Sequence, residues 1–201
     1  MNALHTFQDY YYSSLSPLSL KTNYIKTNFK CYIKFTLSFN SRKYTYKSII
    51  DIGCGTGALC SVLNKEGLKV TGIEPALKML KVGMKKEENK NINFLECNTC
   101  SKLPFEDKSF NLAISSYVAH GLHIEKRVQL YKEMNRLTKD YVIIHDYNSK
   151  RNIMTDIIEW LEGGDYFNFI KVVETELKEH FKSVRVVNVK KRAAWYICEP
   201  Y

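Results

Sequence analysis

The first candidate chemistry lies where an apolar run ends in a carboxylate and a glycine turn. Ile49-Ile50-Asp51-Ile52-Gly53-Cys54-Gly55-Thr56-Gly57 is followed at once by Ala58-Leu59-Cys60-Ser61-Val62-Leu63, which starts an amphipathic helix. Strand, glycine turn and helix form the opening unit of a nucleotide-binding α/β sheet. Alternate glycines let backbone approach a ligand where a Cβ would intrude. The glycines alone do not identify the ligand, because Gly53 to Ala58 also fits the permissive dinucleotide pattern. Asp51 discriminates: a carboxylate two residues before the first glycine repels a pyrophosphate and attracts a cation.

Further chemistry-bearing residues follow later apolar runs. Glu74-Pro75 closes the second run, where a carboxylate can accept both hydroxyls of a ribose; the alternative is a helix-capping surface residue. Cys97-Asn98-Thr99-Cys100 follows the third, and Asn98 has the donor and acceptor to pair with an adenine edge. Cys97 and Cys100 read as reduced thiols lining a pocket, since a zinc site needs four ligands and no second pair is evident. Ser115, Ser116, Tyr117 and His120 follow the fourth run, and His145, Asp146 and Tyr147 the fifth. Histidine can serve as a base near neutral pH, so His120, His145, Asp146 and Tyr147 are the candidate catalytic residues. The alternative, that the histidines only shape the pocket, stays open. No metal is expected.

The elements that must position these residues follow a regular rhythm. Strands are expected at the run from Ile49 that ends in Asp51, and at 69–73, 91–96, 110–116 and 141–144, with helices between them, including Ala76 to Lys85 and Ile124 to Thr138. Ile153 to Glu162 and Phe167 to Phe181 read as two helices split by Gly163-Gly164-Asp165, with Asp165 as a cap. Val184 to Val189 and Ala194 to Cys198 alternate as a terminal strand pair. The fold class expected is a Rossmann-like, doubly wound α/β sheet of seven strands. It is mostly parallel, with one late antiparallel strand and helices on both faces. Ligands in such sheets bind beyond the carboxyl ends of the strands.

Residues 1–47 are harder to read. Ile25, Phe29, Ile33 and Leu37 suit a helix face, whereas Cys31, Ile33, Phe35, Leu37 and Phe39 alternate as on a strand; helix is preferred because it suits the architecture. One domain is expected over 1–201, divided into an N-terminal cap (1–47), a cofactor-binding half (48–146) and lid helices with a terminal hairpin (147–201). With 45% hydrophobic and 25% charged residues the chain reads as a soluble globule. No apolar run suits a membrane span, and no signal peptide is visible at Met1 to Tyr12, so a cytoplasmic location without membrane is expected. The net charge of +9 is spread along the chain, which makes nucleic acid a less favoured partner than a small molecule. Monomer and homodimer are both compatible with the sequence.

These residues resemble the class I S-adenosylmethionine-dependent methyltransferases, by motif over 48–146. Asp51 to Gly57 is similar to the family's first motif, Glu74 to its acidic ribose ligand, and Phe94 to Phe105 to the segment that cradles adenine. Ser109 to Leu112 resembles the fourth-strand motif, and Tyr131 to Leu137 the helix before the fifth strand. The resemblance implies S-adenosyl-L-methionine as cofactor, touched by Asp51, Gly53, Cys54, Gly55, Gly57, Glu74, Pro75, Asn98, Thr99 and Ser115. It implies methyl transfer by in-line displacement. Asn98 and Asn111 stand where the family usually has Asp, and Thr138-Lys139-Asp140 replaces its Pro-Gly-Gly turn. An RNA or protein methyltransferase and a non-catalytic cofactor-binding module are the other readings. In the 147–201 segment, Trp160, Tyr166, Phe167 and Phe169 stand beside Glu159, Glu162 and Asp165. Such a lid suits a small, partly apolar or cationic acceptor, and Trp160 and Phe169 are expected to pack onto the sheet.

Overall fold

The computed structural model describes residues 48–201. The expectations for 1–47 lie outside them. The seven strands are β1 (Ser48–Ile52), β2 (Lys69–Ile73), β3 (Asn93–Leu95), β4 (Phe110–Ser116), β5 (Thr138–Tyr147), β6 (Ser183–Lys190) and β7 (Ala193–Glu199). They form one sheet in the order β3-β2-β1-β4-β5-β7-β6. Strands β1 to β5 pair in parallel, and β7 enters antiparallel between β5 and β6. The order reverses beside β1, between β2 and β4, the point at which sheets of this kind bind their ligands.

Among the described residues five helices flank the sheet: α1 (Ala58–Lys65), α2 (Leu77–Met84), α3 (Ile124–Leu137), α4 (Ile153–Glu162) and α5 (Tyr166–His180). Side chains alternate across each strand, and this splits the core into two layers. Ile50, Ile52, Val142 and Ile144 pack with Leu130, Met134, Phe169, Val173 and Leu177 of α3 and α5. Ile49, Ile114 and Ile143 pack on the other face with Leu59, Cys60 and Leu63 of α1. Every side chain of Val142 to Ile144 is buried, as a central parallel strand requires.

Four expectations need correction. No helix joins β3 to β4. The segment is held instead by side chains of α3: Glu133 Oε1 accepts from the Leu103 N–H at 2.7 Å, and Arg136 donates to the carbonyls of Phe105 and Leu103. The apolar stripe of α2 is only partly used, since Leu80 is buried while Leu77 and Met84 are exposed. Asp165 makes no capping hydrogen bond, because Arg127 and Asn168 take its carboxylate oxygens. Trp160 does not pack onto the sheet; it is 71% exposed, whereas Phe169 is fully buried as expected. Asn111, in place of the family's Asp, has a structural task at the far end of the sheet. Its Oδ1 accepts from Ser48 and its Nδ2 donates to Asp140 Oδ2 at 2.9 Å, and a carboxylate could not make that second bond.

Candidate active site at the carboxyl ends of the strands

The glycine turn is fixed by β2. The N–H groups of Gly53 and Cys54 both donate to the Ile73 carbonyl, at 2.8 and 2.9 Å. Gly53, Gly55 and Gly57 have φ of 83°, 57° and 69°, a region that disfavours any residue with a Cβ. Space adds a second constraint. A Cβ at Gly53 would lie 2.3 Å from Val118 Cγ2, and one at Gly57 2.6 Å from the Phe94 ring. These two glycines therefore admit neighbouring side chains as well as a tight turn.

Glu74 closes the turn. Its Oε2 accepts from the Gly55 N–H and its Oε1 from the Ala76 N–H, both at 2.9 Å. Each oxygen keeps a further lone pair, so the carboxylate can hold the loop and still accept ribose hydroxyls. Asp51 lies beneath the turn at 1% exposure. Its Oδ2 accepts from the Cys60 thiol at 3.3 Å, and its Oδ1 has no hydrogen-bond partner among the described residues. Burial pushes this carboxyl up to about 7, with the Glu74 charge adding to the rise and the Cys60 thiol opposing it. An orphaned buried carboxylate oxygen fits a cationic ligand such as the ammonium of S-adenosylmethionine, because such a cation would remove the cost of the buried charge. Ser115 Oγ, near the end of β4, is also buried without a hydrogen-bond partner among the described residues. Pro75 is exposed and Thr99 buried. Asn98 is exposed, and its Oδ1 already accepts from the Cys100 N–H at 2.9 Å, so it stabilises its own turn.

The ends of β4 and β5 bring the predicted catalytic residues together. Tyr117 follows β4 with φ of 55°, an unusual value for a residue with a Cβ, and its N–H donates to the His145 carbonyl at 2.8 Å. This turn leads into a single 3-10 turn at Ala119–Gly121, which carries His120. Asp146 holds His120 in place: its Oδ1 is 2.8 Å from Nδ1, and its Oδ2 accepts from the His120 N–H at 3.2 Å. The Tyr147 N–H donates to the same carboxylate at 2.8 Å. His120 Nε2 faces Glu159 Oε2 at 3.6 Å, beyond a good hydrogen bond. Burial alone would lower the His120 pKa, but Asp146, Glu159 and Glu162 outweigh it and hold it above the usual histidine range. His145 is different. Its Nδ1 contacts Ser116 Oγ at 2.9 Å, and burial drives it down to about 4, so it is a neutral imidazole.

Three residues were not placed in the site from sequence. Cys60 reaches Asp51 from the first turn of α1. Glu159 comes from α4, and its carboxyl is raised by burial against the pull of His120. Arg127 of α3 is buried and donates to Glu176 (2.9 and 2.7 Å), to Asp165 (2.7 Å) and to the Leu122 carbonyl. It ties the segment after His120 to the turn that ends α4, and so brings His120 and Glu159 together. Polar residues at four-residue spacing, Thr155 and Glu159, were the available signal for α4.

Residues 50–144 match a methyltransferase domain. The chain is 24% identical over 144 residues to a methyltransferase of Staphylococcus carnosus, covering 70% of this chain and 67% of that protein. It is 31% identical over 138 residues to a sterol 4-C-methyltransferase of Caenorhabditis elegans, covering 67% of this chain but only 35% of that protein. A solved structure from Pyrococcus horikoshii shares the fold with a TM-score of 0.69 at 16% identity, covering 88% of this chain and 91% of that one. The likeness over residues 50–144 is thus to the S-adenosylmethionine-dependent methyltransferases. Among the described residues no helix is long and apolar enough to cross a membrane.

Proposed function

We propose that the chain transfers a methyl group in line from S-adenosylmethionine to a small-molecule acceptor whose proton is taken up at the His120–Glu159 pair. The observation that carries this reading is the fixed imidazole. Asp146 engages Nδ1 and leaves Nε2 aimed at a carboxylate that does not saturate it. When bound, the cofactor supplies an electrophilic methyl on a sulfonium, so the protein need only align the acceptor, exclude water and move one proton.

Asp51 would hold the ammonium end and Glu74 the ribose, with the glycine turn between them. Thr99 and Ser115 are the polar groups available for the remaining contacts. Asp146 orients His120, and Nε2 with Glu159 Oε2 forms a site that can receive a proton from a hydroxyl or an ammonium. The raised His120 pKa delays that role to the alkaline side of the usual histidine range. The Tyr117 and Tyr147 rings lie 4.8 and 4.9 Å from the His145 and His120 rings, an aromatic surround that suits a partly apolar acceptor. Cys54, Cys60, Cys97, Cys100 and Cys198 are free thiols, which fits a reducing compartment and supports a cytoplasmic location.

The test is methyl transfer from labelled cofactor into the small-molecule fraction of an extract. His120→Asn should lower kcat about 100-fold or more while leaving S-adenosylhomocysteine affinity intact. Wild-type kcat in His120→Asn would overturn the assignment of the proton site.

A further inference from the structure

Helix α4 is amphipathic in the wrong sense for a soluble surface helix. Thr155 and Glu159 are its buried residues, facing the sheet and His120. Its large apolar side chains point outward: Ile153 is 76% exposed, Met154 67%, Ile157 50%, Trp160 71% and Leu161 57%. Positions 153, 157, 160 and 161 share one face at helical spacing, so the exposure forms a contiguous stripe along the helix. An exposed apolar stripe of this kind marks an interaction site.

The charges around the stripe indicate what covers it. Lys150 and Arg151 lie exposed just before the helix. The β6–β7 turn carries exposed Lys191 and also Arg192, whose guanidinium bonds Thr155 Oγ1 and so brings that turn against α4. The carboxylates of α4 are occupied or turned inward. Asp156 pairs with Arg151 and accepts from Tyr166, while Glu159 and Glu162 act on His120. The helix thus presents tryptophan and aliphatic side chains within a cationic rim, the pattern of a helix lying in the plane of a lipid interface. Tryptophan suits the boundary between headgroups and acyl chains. Basic side chains favour an anionic leaflet.

We propose that α4 is a peripheral docking helix, whose apolar face seats in an anionic bilayer surface with the exposed Lys150 and Lys191 against the headgroups. Such docking needs no spanning segment, so it departs from the expectation of no membrane without requiring a transmembrane helix. It also sets the Glu159 side of the active site directly beneath the lipid surface.

Sedimentation of the full chain with phosphatidylcholine vesicles, with and without phosphatidylserine, tests this. Wild type should bind the phosphatidylserine vesicles, more weakly as salt rises, with a blue shift of tryptophan emission. Trp195, buried in the core, cannot supply that shift. Ile157→Glu with Trp160→Glu should weaken binding about 10-fold or more with the circular-dichroism melt retained, and Lys150→Glu with Lys191→Glu should remove the preference for phosphatidylserine. If the first pair does not fold, the wild-type salt titration and emission shift still decide. Absence of wild-type binding to both vesicles would overturn the proposal. So would binding that survives the Ile157/Trp160 pair. A dimer in sedimentation velocity that this pair dissolves, with no vesicle binding, would assign the stripe to a second copy instead.

Discussion

Cofactor binding should be coupled to the loss of one proton from Asp51. The ligand-free carboxyl sits near 7 against an ordinary 3.8, chiefly because it is buried with Oδ1 unpartnered. A cation against Oδ1 returns it towards the ordinary range. Below pH 7 binding must therefore expel a proton, and the apparent Kd for S-adenosylhomocysteine should rise about 10-fold from pH 8 to pH 6, one factor of ten per unit below the pKa. Calorimetry in two buffers of different ionisation enthalpy gives the proton count directly. The same shift bears on stability. A carboxyl raised in the folded state contributes stability that is fully present below pH 3.8 and lost as the pH climbs through about 7. About three units correspond to about 4 kcal/mol. Asp51→Asn avoids that loss, so above pH 7 it should melt several degrees higher than wild type when ligand-free. It should bind S-adenosylhomocysteine about 10- to 100-fold more weakly, without the pH dependence. Wild-type affinity that is flat between pH 6 and 8, with no proton exchanged, would refute the reasoning.

Two further perturbations address the rest of the site. His145 is neutral in the fold because burial depresses it to about 4, so the stability it contributes is present above pH 6.5 and is lost as the pH falls to about 4. Wild type should lose about 3 kcal/mol there and His145→Gln distinctly less, by chemical denaturation across that range. Arg127→Met should destabilise by about 3–5 kcal/mol because Glu176 and Asp165 are left buried or half-buried without their cation. Adding Glu176→Gln should recover part of this, and non-recovery in the double-mutant cycle would deny the pair its place in the network.

The sheet was legible because its signals are local. A run such as Tyr141 to Ile144 has few alternatives to a buried strand, and each strand end carries a turn residue or a carboxylate. The boundaries drifted where tertiary bonds set them. β5 extends to Tyr147 because β7 pairs with it as far as Ala193, a partner far along the chain that no window around β5 contains. The segment from β3 to β4 lacks its expected helix for a similar reason: Glu133 and Arg136 of α3 satisfy its backbone.

The positions of the proposed cofactor side were legible for the same reason as the strands: Asp51, the three glycines and Glu74 each sit at a strand end, and the structure brings them to one turn. The acceptor side required contacts between elements. Cys60 is unremarkable in sequence, and Glu159 reads there only as part of an acidic lid; each acquires its place by facing Asp51 or His120. Helix α4 shows the limit most clearly. Its periodicity gave the correct helix, Ile153 to Glu162, but period alone cannot say which stripe faces inward. Burying Trp160 and exposing Glu159 is what the hydrophobic effect predicts for a helix surrounded by water. The structure has the opposite, since Glu159 faces His120, whose charge is stabilised by that carboxylate. Once Glu159 turns inward, helical geometry forces Ile157, Trp160 and Leu161 outward. The electrostatics of the active site and the apolar outer face of α4 are thus two consequences of one rotation, which is why the vesicle assay and the His120 kinetics probe the same helix from its two sides.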